Sequence, residues 1–262
     1  MIAGLPSTRL RRSGQWGIPG VLLVVAVALW ELIVRLTDTP AWFLPAPSAI
    51  LGALVHNWQL IGGHTLVTLE EVLVGFVLSF AFGVGVAIAI AYSPIVERAI
   101  YPIVIASQAI PIIALAPILL IWFGYGLTPK IIVVVLICFF PIAVNTVDGL
   151  RAADPELVDL LRSMGAGRWK SFRTVRLPAA LPYLFSGTRI AAAVSVIGAL
   201  IGEWVGSSAG LGYFMIRSAS QFNTARVFAA VLVSAVLGVV LFVAVALLER
   251  WLLPWQHTGR DG

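Results

Sequence analysis

The chain has 262 residues, of which 60% are hydrophobic and only 11% charged, with a formal net charge of +5. A water-soluble domain carries roughly 25% charged residues, so this composition excludes an ordinary soluble fold and makes lipid the solvent. Only helices or closed barrels satisfy their backbone hydrogen bonds there, and the apolar runs lack period-2 alternation, which selects helices.

Six spans follow in chain order, at about 18–36, 66–92, 102–123, 130–147, 184–204 and 226–248. Arg9, Arg11 and Arg12 precede the first, as in a signal peptide, but its apolar run is long for one and no convincing A-x-A cleavage site follows. Trp30, Glu31 and Arg35 read as the interfacial end of a retained helix. The segment 38–64 is too polar and proline-broken to span; Leu44-Pro45-Ala46-Pro47-Ser48 reads as a turn before a short surface helix at 49–58. Glu70 and Glu71 place the first turns of the second span at the interface. The third span holds Pro111 and Pro117, which remove backbone donors and bend a helix. Cys138, the single cysteine, falls in the fourth span and reads as a small buried apolar side chain. One cysteine excludes an intrachain disulfide. Asn145 and Asp148 close that span.

The one long polar stretch runs over 154–182, within a loop at about 147–182. Asp154 caps and Pro155 opens a helix there. Glu156 and Asp159 sit near the positive end of its dipole. Leu157, Leu160, Leu161 and Met164 recur at helical spacing as an apolar stripe. Gly165 and Gly167 supply a stop and a sharp turn. A second short helix over 168–174 leads to Leu177-Pro178, where the proline redirects the chain into the fifth span. An amphipathic helix of this kind can lie on headgroups or dock in a partner's groove.

Charge placement orients the bundle. Thirteen basic residues, Arg9, Arg11, Arg12, Arg168, Lys170 and Arg260 among them, fall on one side, against Arg35, Lys130, Arg217 and Arg226 on the other. The positive-inside rule then puts both termini and the 147–182 loop in the cytoplasm. The +5 charge thus faces anionic lipid, and no nucleic acid is implied. Gly165 to Ser171 faintly resembles a phosphate-binding P-loop, but Met164 and Trp169 stand where that motif needs glycine, so ATP is not bound by that route. Glu203, near the outer end of the fifth span, is open to two readings, a functional intramembrane carboxylate or an interfacial group bonded within its own bundle. His56, His64 and His257 are scattered, so a metal site is not expected.

Asp159, Leu160, Leu161, Gly165, Val175, Leu177 and Pro178 match, at every anchor spacing, the cytoplasmic loop signature of ABC importer permeases: Glu-Ala-Ala, three residues, Gly, nine residues, Ile-x-Leu-Pro. Asp159 stands for Glu, the two leucines for alanines and Val175 for Ile. Over nearly its whole length the chain resembles the nitrate, sulfonate and taurine branch of binding-protein-dependent importers. The residues are Leu44 to Ser48, Pro111 to Pro117 with Trp122-Phe123-Gly124, and Gly202-Glu203-Trp204 with Gly210-Leu211-Gly212. Phe140 to Gly149 and Leu181 to Gly187 resemble permeases assigned to pyrimidine precursors of thiamine, and sometimes riboflavin.

The resemblance implies an all-α, polytopic bundle of six transmembrane helices with the type I ABC importer permease fold, a single membrane domain over 1–262. It implies ATPase coupling through Asp159, Leu160, Leu161, Met164, Gly165, Ala166, Leu177 and Pro178, and a translocation path near Glu203, Pro111 and Pro117. Partners would be two ABC ATPase subunits, an extracytoplasmic solute-binding protein and a second permease copy in a bacterial inner membrane. No cofactor is expected on this chain, with ATP and Mg on the ATPase. The cargo would be a small hydrophilic solute, a pyrimidine precursor or else a sulfonate, taurine or nitrate-like anion. The rivals are a polytopic membrane enzyme, for which only Glu203 and Asp148 offer polar chemistry, and a secondary transporter, which normally needs midplane charges.

Overall fold

The computed structural model describes residues 17–256; Arg9, Arg11, Arg12, His257 and Arg260 lie outside them. Eleven helices are described: α1 Gly17–Leu36, α2 Pro47–His56, α3 Trp58–Tyr92, α4 Pro94–Ser107, α5 Ile112–Phe123, α6 Leu127–Arg151, α7 Pro155–Ser163, α8 Arg168–Ser171, α9 Leu177–Trp204, α10 Leu211–Ser220 and α11 Thr224–Leu252. Five helical runs are long and apolar enough to cross a membrane by themselves, and α4 with α5 passes the same test only as a pair, bent by 101°.

Four expectations are corrected. The third span is two helices rather than one kinked rod: Pro111 lacks an N–H and disfavours helix at Ile110, so α4 ends at Ser107 and α5 restarts after Pro111. The short helix is Pro47–His56, and α3 begins at Trp58, so 58–64 continues a span instead of lying outside it. α6 runs to Arg151, leaving Asn145 and Asp148 inside the helix and not at its close. Leu177-Pro178 does not redirect the chain: a π-helical turn, Phe172–Arg176, joins α8 to α9 in one helix from Arg168 to Trp204. That wide turn passes Pro178, which has no N–H to give. Between the fifth and sixth spans a short helix, α10, buries Leu211, Gly212, Phe214, Met215 and Ser218.

The core is the sandwich of α3, α6 and α9, flanked by α10 and α11. Lipid tails are as apolar as leucine, so packing rather than hydrophobic expulsion must hold such helices together, which favours small residues at the contacts. Gly75 and Gly83 of α3 face Val134 and Ile142 of α6, where an added β-carbon would come within 2.6 and 2.9 Å. Gly198 and Gly202 of α9 lie against the backbone of Val134 and Lys130, at 3.1 and 3.0 Å for the same test. Cys138 is fully buried among these helices, the small apolar filler its position predicts. Leu44 to Ser48 is tied to α1, since Glu31 accepts the Ser48 N–H at 3.0 Å and its hydroxyl at 2.8 Å.

Candidate functional site

Two groups of residues at opposite ends of α9 stand out. At the first end, Asp154 accepts the Glu156 N–H at 2.9 Å and starts α7. α7 stops in a glycine cap: Ala166 N–H donates to the Leu161 carbonyl and Gly165 N–H to Arg162, both at 2.9 Å, with Gly165 at φ +81°. That is the Schellman arrangement, which needs a left-handed residue where glycine stands. Gly167 instead has an ordinary extended conformation, φ −67°, so the sharp turn belongs to Gly165 alone.

The anticipated apolar stripe is present and points outward. Leu157, Leu160 and Met164 are exposed, at 49, 57 and 75%, as is Trp169 beyond the turn, while Leu161 and Ala166 are half-buried. Asp159 is exposed and pairs loosely with Arg162 at 3.3 Å. Val158, on the opposite side of α7, turns inward at 4% exposure. Leu177 packs beside Leu150, Phe172 and Ala180, anchoring the loop to the bundle. The arrangement holds a short greasy edge away from the bundle, left exposed among the described residues, the surface a helix-in-groove contact uses.

At the other end, Glu203 is 1% exposed and fully engaged. One carboxylate oxygen accepts the Thr68 hydroxyl at 2.6 Å and the other accepts the Gly212 N–H. Thr68 in turn accepts the Leu211 N–H at 2.8 Å, and His64 Nδ1 accepts that of Gly210 at 3.0 Å. Three of the first backbone N–H groups around the start of α10 are thus satisfied by side chains of α3 and α9. Next to them Lys130 of α6 donates to Glu71 of α3 at 2.6 Å, with the Glu71 side chain wholly buried. Gly210, at φ +108°, admits no β-carbon, which would collide with the Glu203 carboxylate.

The structure therefore brings Glu203 together with Thr68, His64, Glu71 and Lys130, and sets Pro111 and Pro117 apart on the exposed bent helix pair. Glu71 and Lys130 are both buried within the bundle. Each looked interfacial alone, since each lies near a span end. Two acids on separate spans plus one lone lysine was the signal that could have paired them.

The family model described as "Binding-protein-dependent transport system inner membrane component" matches residues 80–254. The chain is 39% identical over 248 residues to the formylaminopyrimidine transport permease protein ThiX of Halalkalibacterium halodurans, covering 94% of this chain and 99% of that protein. It is 30% identical over 246 residues to the taurine transport system permease protein TauC of Escherichia coli, covering 89% and 88%. Among solved structures, inward-facing forms of the MetNI methionine ABC transporter share the fold, with TM-score 0.64 at 22% identity over 74% of this chain and 95% of that one.

Proposed function

The chain belongs to the family of binding-protein-dependent transport system inner membrane components, and from that premise we propose that it moves a pyrimidine-type vitamin precursor inward by alternating access. It is the non-catalytic permease subunit of an ABC importer, in the nitrate, sulfonate and taurine branch. The substrate class follows the formylaminopyrimidine relative, whose match covers both chains almost completely; a sulfonate or taurine, as in the more distant relative, is the second candidate.

The observation that carries the mechanism is the unbroken helix from Arg168 to Trp204. Its 37 residues extend about 55 Å at 1.5 Å per residue, joining the exposed edge of α7 to the Glu203 cluster. A groove in an ATPase subunit would take Leu157, Leu160 and Met164; displacement of α7 when two ATPases close on ATP would pass along α9 to Glu203 and the start of α10. Two permease copies, two ATPases and an extracytoplasmic binding protein complete the machine, with α7 in the cytoplasm. The ATPase carries ATP and Mg, and Glu203 serves the path by fixing α10.

Reconstitution with a cognate ATPase and binding protein tests the reading. ATP-dependent uptake of a formylated aminopyrimidine into proteoliposomes is expected, with taurine and alkylsulfonates as controls. Failure to associate with any P-loop ATPase would overturn the coupling; uptake of the sulfonates alone would overturn the substrate.

A further inference from the structure

Behind α7 lies a cavity of about 200 Å³ that neither the docking edge nor the Glu203 cluster uses. Arg162, Arg168 and Arg176 line it, together with Ser171, Phe172 and Tyr92. These three arginines border it from α7, α8 and the π-helical turn. The α3–α4 junction contributes Ala91, Tyr92 and Pro94 and no acid.

Little nearby charge offsets them. Arg162 has only its loose, exposed contact with Asp159. In the adjoining cavity Glu97 is already held by Arg151, which also lies 4.7 Å over the Tyr101 ring. Among the described residues, no carboxylate comes within ion-pair distance of Arg168 or Arg176. Ser171 adds an independent sign: the residue is 3% exposed, and its hydroxyl has no hydrogen-bond partner among the described residues. A buried hydroxyl left unbonded costs about 1–3 kcal/mol, so such a group ordinarily has a ligand or water.

The chemistry that fits is a tetrahedral oxyanion. Guanidinium forks match phosphate oxygens in pairs, and a serine hydroxyl donates to a third. Tyr92 ends the apolar helix α3, so the cavity stands at the depth where a bilayer's headgroups begin. We propose that this cavity is a phosphate-binding site, filled by the headgroup phosphate of an anionic lipid or by a free phosphate-type anion, which pins the coupling loop to the end of the bundle. The site is independent of docking through α7: either can hold without the other.

The test uses the purified full chain in two arms. Equilibrium dialysis with radiolabelled inorganic phosphate reads the free anion, and native mass spectrometry after exchange into phosphatidylglycerol or phosphatidylcholine reads the lipid. Retention in either the phosphate or the phosphatidylglycerol arm is expected, and the arm that retains identifies the source. Arg168→Gln and Arg176→Gln should each weaken it by about tenfold, the loss of one charge-assisted contact. Ser171→Ala, which removes one oxygen and keeps the fold, should weaken it by a smaller factor. Retention in neither arm overturns the proposal. So does undiminished retention by all three variants, because the anion then sits elsewhere.

Discussion

Lys130 of α6 and Glu71 of α3 form an ion pair of 2.6 Å in which the glutamate side chain is wholly buried and the lysine side chain only 10% exposed. Such a pair is costly to desolvate and more costly to break, since removing one partner strands the other charge. Glu203 lies in the same electrostatic neighbourhood, but its oxygens are taken by Thr68 and Gly212 and the ammonium bonds to Glu71. The pair clamps the two helices that form the largest part of the core with α9, close to where α10 begins.

Lys130→Met should therefore destabilise the folded chain by about 3–5 kcal/mol, and adding Glu71→Leu should recover most of it. Thermal unfolding of detergent-purified protein reads both. A single variant as stable as the wild type would show that the pair holds nothing.

Gly210→Ala should fail for two separate reasons. Its φ of +108° is strained for any side chain, and the new carbon would meet the Glu203 carboxylate. Gly63→Ala in α3 meets nothing within 4 Å and should stabilise slightly, by about 0.5–1 kcal/mol of helix propensity. Unfolding midpoints in the opposite order would contradict this account of the Glu203 end of the bundle.

The contrast between these two glycines marks what was legible in the sequence. Hydropathy located the spans because lipid-facing residues such as those of α1 and α11 declare their solvent one by one. The α7 cap was equally readable, since Asp154, Pro155 and Gly165 act on backbone within a few residues of themselves. α10 was hidden because half its face is polar, as a loop's would be, and its burial depends on α3, α9 and α11. The π-helical turn left no local mark, and the Lys130–Glu71 pair joins residues 59 apart. Interactions that depend on distant partners do not show in a local pattern.

Gly165→Val should uncouple the transporter without unfolding it. A β-branched residue at φ +81° costs about 1–3 kcal/mol, enough to distort the cap, yet the space around it is open. Transport and solute-stimulated ATP hydrolysis in the assembled complex should fall together while expression persists. Gly167→Ala, in ordinary backbone and equally open, should leave both rates unchanged. Normal transport by the valine variant would remove α7 from the coupling path.

Orientation is tested by labelling. Ser163 is exposed at the end of α7, and Cys138 is buried. In a Cys138→Ser background, Ser163→Cys should resist an impermeant maleimide applied to intact cells and react once the membrane is opened. Ready labelling from outside would invert the assigned topology.

Glu203→Gln separates support from selection. The amide keeps the size of the carboxylate: its oxygen can accept the Gly212 N–H, and its NH2 can donate to Thr68. The Thr68 hydroxyl can then turn to the His64 carbonyl, 3.2 Å away. The bundle should therefore fold, with Lys130 and Glu71 left as a balanced pair. Transport should slow because the anchor of α10 loses its charge-assisted bonds, each worth about twice a neutral one. The solute carried should not change, because Glu203 is buried and spends both oxygens on its own chain. For the same reason the isolated permease should bind candidate solutes with Kd of roughly millimolar or weaker, near −4 kcal/mol, leaving recognition to the binding protein. Calorimetry with and without the binding protein measures this directly. Micromolar binding to the permease alone, or a changed solute preference in Glu203→Gln, would place selection within the membrane.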